Sequence, residues 1–429
     1  MVSADQSIMQ LLQAAADADA RGDASAAERL LRQAQTAAPN HPLILSERAR
    51  RLLMASDWAG AHAILKDAVK AAPSQPSLWL NLAVALRGLN RSDQEIEALE
   101  KVLALEPRNV RALLQKASLL EAASSGRAAA AAYRVALQAI PPGAEPPPAM
   151  RPALQHAREV VEANNRALEA HLEQRLAGLR ASHPHESLAR FDRCLAILLQ
   201  KEPIYRQQPR FLYFPHLPGI EFYDRADFPW LAAIEAATAS IRQELIAVLT
   251  HGPSVLKPYV ELPRGTPLDQ WAELNNSRKW GVYYLWHESK PIPDHIAACP
   301  QTVAALETWP RCDLPGYSPT AVFSILDAKT RIPPHNGVTN TRLLVHLPLI
   351  VPPGCGFRVG GSRREWREGE CLVFDDTIEH EAWNDSDVPR AVLIFDIWSP
   401  FLTPMERDFV RATTQGVGEY YGKMSLGPA

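Results

Sequence analysis

Two neighbouring stretches, TAVFSIL (320–326) and PPHNGVTNTRLLVHLPLIV (333–351), are rich in strand-forming residues and are separated by turn residues. In the second, Arg342, Leu344 and His346 alternate with leucine and valine, which is the period of two expected for a β-strand. Similar short runs are KWGVYYLW, GFRVGG, ECLVFDD and RAVLIFDIW. Short strands at this spacing predict an antiparallel jelly roll or cupin-like barrel, a double-stranded β-helix.

Two histidines lie at the ends of these strand-like runs. His335 follows two prolines, and His380 closes EGECLVFDDTIEH (368–380). Neutral imidazoles bind Fe(II), and two of them together with a carboxylate form the facial triad of non-haem iron oxygenases. The usual carboxylate position, two residues after the first histidine, is Gly337. The residues alone therefore give two metal ligands and no third, and a turn histidine and a strand-end histidine remain open alternatives.

A cation follows the second histidine. Arg390 opens the run RAVLIFDIW, and a guanidinium matches the geometry of a carboxylate, with which it can form two parallel hydrogen bonds. Next to an iron site, Arg390 would suit a dicarboxylate cosubstrate. The alternative is an ion pair at the surface.

Several motifs, taken together and in order, resemble one family. They are FPWLAAIEA (228–236), FS (323–324), PPHNGVTNTRLLVHLPLIVP (333–352), EGECLVFDDTIEHEAWND (368–385) and RAVLIFDIWSP (390–400). This text is similar to the aspartyl/asparaginyl β-hydroxylases, which are Fe(II)- and 2-oxoglutarate-dependent oxygenases. The family also has H-x-G at the first histidine, so Gly337 fits the resemblance.

The resemblance implies roles for individual residues. His335 and His380 would bind Fe(II), with 2-oxoglutarate and O2 as cosubstrates, and Arg390 would bind the distal carboxylate of 2-oxoglutarate. Ser324 and His346 match family residues that also hold this cosubstrate. A strand hydroxyl and a core histidine are the structural alternatives for these two residues.

The substrate side is less complete. Arg342 matches a family arginine associated with the substrate's side chain. A family arginine that helps to hold the cosubstrate is replaced by Leu344, and a second substrate-side arginine aligns with Asn275, where Arg278 or Lys279 could substitute.

The N-terminal third is a repeat. Prolines recur every 34 residues, small residues recur at two phases and bulky residues at one. This is the tetratricopeptide period, and it predicts an α-solenoid with a concave face for binding proteins or peptides. The phases are Pro39, Pro73, Pro107 and Pro141; Ala15, Ala49, Ala83 and Ala117; Leu31, Leu65, Leu99 and Tyr133; and Ala34, Ala68, Val102 and Ala136.

The predicted organisation is an α+β multidomain chain. Residues 1–142 form the tetratricopeptide array, 143–205 a proline-rich spacer with connecting helices, and 206–429 a double-stranded β-helix oxygenase domain. The spacer begins with PPGAEPPPAMRP (141–152), which is typical of a stiff linker.

Composition limits the class of protein. The 45 basic and 48 acidic residues give a net charge of −3, which argues against a nucleic-acid binder. Five scattered cysteines and the absence of a long apolar run predict a cytoplasmic protein without a membrane span.

The expected function is hydroxylation of a C–H bond, with the β-carbon of Asp or Asn in a peptide or protein as the leading substrate and the array as its recruiting module. Two alternatives stay open. One is a hydroxylase of a free amino acid or of a lipid acyl chain, and the other is a non-catalytic tetratricopeptide adaptor with a degenerate oxygenase domain.

Overall fold

Two compact units make up the chain. The computed structural model describes residues 4–39, 41–123, 126–141, 143–185 and 187–422, and the units divide into Met1–Phe191 and Asp192–Ala429. This division lies between the two domain boundaries that the sequence predicts, after residues 142 and 205, and those boundaries stay predictions.

Eight helices in antiparallel pairs form the N-terminal array. Capping side chains mark the starts of some of them: the carboxylates of Asp23 and Asp57 accept hydrogen bonds from the backbone N–H groups of Ala26 and Gly60. The helices are α1 (Ala4–Ala20), α2 (Ala24–Ala37), α3 (Pro42–Met54), α4 (Trp58–Ala71), α5 (Pro76–Gly88), α6 (Ser92–Leu105), α7 (Val110–Ala122) and α8 (Gly126–Gln138).

The repeat phases are the core of this array. All twelve residues at the three apolar phases are buried, so the sequence correctly identified which face of each helix meets its neighbours. A further position recurs every 34 residues as alanine, except in one repeat, where it is glutamate. Glu95 is buried where the other repeats have Ala27, Ala61 and Ala129. Its carboxylate accepts a hydrogen bond from Gln115 at 2.7 Å and lies 3.2 Å from the Arg87 Nε atom.

Helix α9 (Arg151–Ser182) closes the array. Leu154, Ala157 and Val161 in its first turns are buried in one cluster with Tyr133 and Ala136 of α8. The rest of α9 has no buried residues. A short helix, α10 (Ala189–Leu198), follows. The predicted connecting helices therefore exist, and the first of them completes the apolar core of the last repeat.

The C-terminal unit is built on two antiparallel sheets. Eleven strands are described: β1 (Lys257–Pro258), β2 (Trp280–His287), β3 (Lys290–Pro291), β4 (Ala321–Leu326), β5 (Thr330–His335), β6 (Arg342–Ile350), β7 (Cys355–Val359), β8 (Ser362–Arg364), β9 (Leu372–Phe374), β10 (His380–Asn384) and β11 (Arg390–Trp398). The larger sheet has the order β1-β2-β4-β11-β6-β9 with β3 beside β2, and the smaller sheet has the order β5-β10-β7-β8.

Alternation along β6 separates two cores. Leu343, Val345 and Leu347 pack with α11 (Leu231–Ala236) and α12 (Thr238–Leu249) on one face of the larger sheet. Leu344 faces the other way and packs with Phe357 of the smaller sheet. The period-two prediction for this stretch is thus confirmed. Helices α11 and α12 are separated by Ala237. The jelly-roll connectivity is not established by the strand order and stays a prediction.

Three further helices complete this unit. They are α13 (Pro293–Ala298), α14 (Pro300–Ala305) and α15 (Pro404–Tyr421). Helix α15 begins with a capping box, in which Thr403 and Glu406 satisfy each other's backbone N–H groups. Within the residues that the structure describes, no helix is both long enough and apolar enough to cross a bilayer.

The packing of α9 predicts where the chain can be cut. A fragment of residues 187–429 should be soluble and should melt cooperatively. A fragment of residues 151–429 should self-associate, because Leu154, Ala157 and Val161 would lose their partners in α8. Size-exclusion chromatography with light scattering, with the full chain as reference, tests this. Equal behaviour of both fragments would show that α9 does not need the array.

Candidate active site

The two histidines face each other across paired strands. His335 ends β5, His380 begins β10, and the two residues are register partners. Their ring centroids are 4.1 Å apart, and both side chains are buried. The sequence placed them at strand ends, and the pairing of β5 with β10 brings those ends together.

Both imidazoles are held in the same tautomer. The Nδ1 atom of His335 lies 2.8 Å from the Pro333 carbonyl oxygen, and that of His380 lies 3.1 Å from the Ile378 carbonyl oxygen. Because a carbonyl can only accept, each Nδ1 carries the proton and each Nε2 keeps its lone pair. Burial lowers the pKa of His335 well below its usual value and lowers the pKa of His380 to about 4. Both rings are therefore neutral at pH 7, the state in which imidazole binds a metal ion.

The Asp376 carboxyl group occupies the space that a side chain at position 337 would need. A Cβ atom on Gly337 would overlap the carboxyl group of Asp376, and the Gly337 N–H donates to the Asp376 carbonyl oxygen at 2.6 Å. Any other residue at this position would displace the Asp376 carboxyl group. The described residues contain no group of three His, Cys, Asp or Glu side chains that could hold a metal ion.

Arg390 is a buried cation without a carboxylate partner among the described residues. It is only 1% exposed, and its Nε atom makes no hydrogen bond. Its guanidinium lies over the Trp366 ring, 5.1 Å from the centroid. Burial lowers its pKa to about 10, which leaves it charged at pH 7. An unpaired buried charge costs several kcal/mol, so this position is prepared for an anion.

His346 and Ser324 lie on the same sheet face as Arg390. Ser324 is the register partner of Val392, and His346 is the partner of Ile394. The His346 ring stacks on Trp366, and its buried Nδ1 atom has no hydrogen-bond partner in the described chain. Burial, followed by the charge of Arg390, lowers the pKa of His346 well below its usual value. The Ser324 hydroxyl accepts a hydrogen bond from the Trp280 indole N–H at 3.0 Å.

Arg342 differs from Arg390 because it is already paired. Its Nη1 atom lies 3.1 Å from Asp396, and its Nη2 atom lies 3.2 Å from Asp376. Both carboxylates are fully buried. Burial raises the pKa of Asp396 to about 6, while Arg342 opposes the shift. No sequence pattern indicates this network, except that Asp396 shares the alternation phase of Arg390 along β11.

One cavity of about 490 Å³ joins these groups. Its wall includes all six residues that the sequence predicts for the site, namely Ser324, His335, Arg342, His346, His380 and Arg390. It also includes residues to which the sequence reasoning gave no functional role, namely Tyr259, Trp280, Tyr284 and Asp396.

A segment from the start of this unit holds the two histidine loops together. The Gln207 side chain donates to Asp375 at 2.6 Å and accepts from Asn340 at 3.1 Å. The backbone N–H groups of Gln208 and Phe211 donate to the carbonyl oxygens of Thr377 and Val338. We refer to residues 207–214 as the strap.

Comparisons with known proteins match the segment of the chain that contains these residues. Residues 235–400 match the sequence model of the family described as aspartyl/asparaginyl beta-hydroxylase. An ornithine lipid ester-linked acyl 2-hydroxylase of Rhizobium tropici is 36% identical over 196 residues, which cover 45% of this chain and 66% of that protein. The aspartyl/asparaginyl beta-hydroxylase of Mus musculus is 35% identical over 34% of this chain and 19% of its own length. The human enzyme of that name is 32% identical over 39% of this chain and 21% of its own length.

Two solved structures match about a third of the chain. MamA from Desulfovibrio magneticus RS-1 is 20% identical and covers 31% of this chain and 75% of its own, with a TM-score of 0.29. The chaperone SycD of Yersinia enterocolitica, solved with a YopD peptide, is 14% identical over 28% of this chain and 88% of its own, with a TM-score of 0.26. These scores are too low to carry an argument about this chain.

The residues matched by the family model include both buried histidines, the unpaired arginine and the residues between them that line the cavity. Residues 235–400 of this chain therefore belong to the aspartyl/asparaginyl β-hydroxylase family.

Proposed function

We propose that the chain is an Fe(II)- and 2-oxoglutarate-dependent hydroxylase. The observation that carries the proposal is the combination, in one cavity, of two neutral imidazoles and the buried, unpaired guanidinium of Arg390. The first is a metal-binding pair, and the second requires an anion. A cosubstrate with a metal-binding end and a distal carboxylate satisfies both requirements. We also propose that the sheets of this unit form a double-stranded β-helix.

The residues fit the metal. The Nε2 atoms of His335 and His380 would bind it, and the carbonyl groups of Pro333 and Ile378 hold both rings in the required orientation. Bound Fe(II) would supply the oxidising chemistry that converts 2-oxoglutarate and O2 to succinate and CO2 while one oxygen atom enters a substrate C–H bond.

Other side chains of this cavity would position the cosubstrate. Arg390 would bind its distal carboxylate, and Ser324, on the neighbouring strand, provides a hydroxyl on the same face. His346 provides a neutral, unpaired Nδ1 atom as a hydrogen-bonding group. Trp366 covers both the guanidinium and the His346 ring and excludes water from the charge. The second family arginine that would hold the cosubstrate is Leu344 in this chain. In this arrangement Arg390 is therefore the cation that would hold the cosubstrate.

Two substrate classes follow from the relatives. The mouse and human proteins are named for aspartyl and asparaginyl residues, and the Rhizobium tropici protein for the acyl chain of a lipid. The β-carbon of Asp or Asn in a protein, recruited by the array, is our leading substrate. The lipid acyl chain is the second candidate, because that relative shares 36% identity over nearly half of this chain.

The non-catalytic adaptor is the remaining alternative, and one assay separates it from the enzyme. Full-length protein incubated with Fe(II), ascorbate, O2 and 2-oxoglutarate should form succinate slowly even without a prime substrate. Heat-denatured protein and a sample with Mg(II) in place of Fe(II) are the controls. No succinate above these controls, with intact 2-oxoglutarate binding, would favour the adaptor.

The histidine assignment is tested by metal binding itself. His380→Ala should weaken Mn(II) binding at least tenfold, because one of two protein ligands is lost, while the melting curve without metal changes little. Electron paramagnetic resonance of free Mn(II) measures this without turnover. His251→Ala removes an exposed histidine at the end of α12 and is the matched control. Equal Mn(II) affinity of the His380→Ala protein and the wild type would place the metal elsewhere.

The arginine assignment predicts opposite effects on ligand binding and on stability. Arg390→Met should weaken 2-oxoglutarate binding by tens-fold or more, since truncating one partner of a buried charged pair costs roughly 2–5 kcal/mol. The same change should raise the melting temperature of the ligand-free protein, because it removes an unpaired buried charge.

Calorimetry with 2-oxoglutarate and thermal melting measure the two effects. Arg390→Lys keeps the charge but loses the two parallel hydrogen bonds, and it should bind with intermediate affinity. If Arg390→Met binds 2-oxoglutarate as tightly as the wild type, the dicarboxylate lies elsewhere in the cavity.

A further inference from the structure

The strap begins with a side chain that contacts both histidine loops. The amide oxygen of Gln207 accepts a hydrogen bond from the Asn340 Nδ2 atom at 3.1 Å, and its amide nitrogen donates to the Asp375 Oδ2 atom at 2.6 Å. Asn340 follows His335 by five residues, and Asp375 precedes His380 by five. One amide therefore connects the loop after the first histidine with the loop before the second.

The partners of this amide determine its orientation. Asn340 is buried, and its side chain also donates to the Phe214 carbonyl oxygen at 2.9 Å and accepts from the Phe214 N–H at 2.8 Å. Asn340 must therefore present a donor to Gln207, while the Asp375 carboxylate can only accept. With the Gln207 amide reversed, two donors would face each other at Asn340 and two acceptors would face each other at Asp375.

Within the described chain, Asp375 is held by hydrogen bonds and not by a cation. Its Oδ1 atom accepts from the Thr377 N–H at 2.9 Å and from the Thr377 hydroxyl at 2.6 Å, and its Oδ2 atom accepts from Gln207. Burial raises the pKa of Asp375 to about 6, and these hydrogen bonds oppose the shift. Loss of the Gln207 donor would leave a buried carboxylate oxygen without a partner, which costs more than the hydrogen bond itself contributes.

The loop that contains Asp375 also orients His380. The backbone of Gln207 pairs with that of Ile378 in an isolated antiparallel bridge. The carbonyl oxygen of Ile378 lies 3.1 Å from the His380 Nδ1 atom. If the loop relaxed to satisfy Asp375, the acceptor that holds this imidazole ring would move with it.

The two loops also contact each other without the strap. The Asn336 side chain donates to the Thr377 carbonyl oxygen at 2.9 Å, and the Gly337 N–H donates to the Asp376 carbonyl oxygen at 2.6 Å. These bonds keep the loops adjacent when Gln207 is changed. What changes is the relative position of the two rings, and metal sites need their ligands within about 0.5 Å of the productive geometry.

We propose that Gln207 is a positioning residue for the metal site, and that the orientation of its amide sets the metal affinity of the two histidines. The inference rests on the proposed function, which makes His335 and His380 the metal ligands. Gln207 acts through Asp375 and Asn340. It lies outside residues 235–400, the segment that matches the family model.

Removal of the amide tests the proposal on the full-length protein. Gln207→Met keeps the length of the side chain and loses both hydrogen bonds. We expect at least fivefold weaker Mn(II) binding, measured by electron paramagnetic resonance of free Mn(II). The effect should be smaller than the roughly 10–100-fold loss typical of residues that hydrogen-bond a ligand directly. Gln208→Met changes the exposed neighbouring glutamine and is the matched control, with unchanged affinity.

A reversal of donor and acceptor tests the orientation of the amide. In Asp375→Asn, an amide N–H would face the Gln207 N–H, and Mn(II) binding should weaken at least fivefold. The double variant Gln207→Glu/Asp375→Asn restores one donor and one acceptor, while its carboxylate still accepts from Asn340. We expect its Mn(II) affinity to return to within twofold of the wild type. A double variant no better than Asp375→Asn would overturn the proposal.

Thermal melting separates positioning from a contribution to stability alone. If Gln207→Met lowers the melting temperature but binds Mn(II) as tightly as the wild type, the strap only stabilises the fold and the proposal is wrong. If Gln207→Met does not fold, the comparison of Asp375→Asn with the double variant decides.

Failure of the proposed function would be recognised separately, by a wild-type protein that does not bind Mn(II). The positioning role is then tested without metal, by nuclear magnetic resonance of the Nδ1 protons of His335 and His380. In Gln207→Met, the Nδ1 proton of His380 should exchange with water at least fivefold faster than in the wild type and in Gln208→Met. Equal exchange rates in all three proteins would overturn the proposal.

Discussion

The Arg342 guanidinium connects two parts of the chain that are far apart in sequence. Asp376 precedes β10 and therefore positions the loop that carries His380, while Asp396 lies on β11, six residues after Arg390. The carboxyl group of Asp376 also fills the space beside Gly337, two residues from His335. The relative position of both histidines and of strand β11 thus depends on one cation and its two anions. A buried ion network of this kind adds little net stability, but loss of one member leaves an uncompensated charge.

The cavity contains two arginines in opposite electrostatic states. Arg342 is paired with two carboxylates, and Arg390 has no carboxylate partner in the described chain. This asymmetry gives the two ends of the cavity different charges.

The sequence predicted the features that depend on local periodicity. The phases of the 34-residue repeat and the alternation along β6 were both correct, since each is determined by which residues must be buried within one element. The six site residues line one cavity because they share strand ends and sheet faces. The pairing of Arg342 was not predictable, because its partners lie 34 and 54 residues away. Only the pairing of β6 with β11 and the path of the 375–379 loop bring them together.

The strap extends the unit that holds the two histidines beyond the segment that matches the family model. Residues 207–214 lie upstream of the segment that matches the family model, residues 235–400, but their hydrogen bonds close the loops next to both histidines. The smallest piece of this chain with an intact histidine pair is therefore longer than the homologous segment. Two relatives could close this edge of the site with unrelated sequences. A sequence comparison restricted to the homologous segment would not detect that difference.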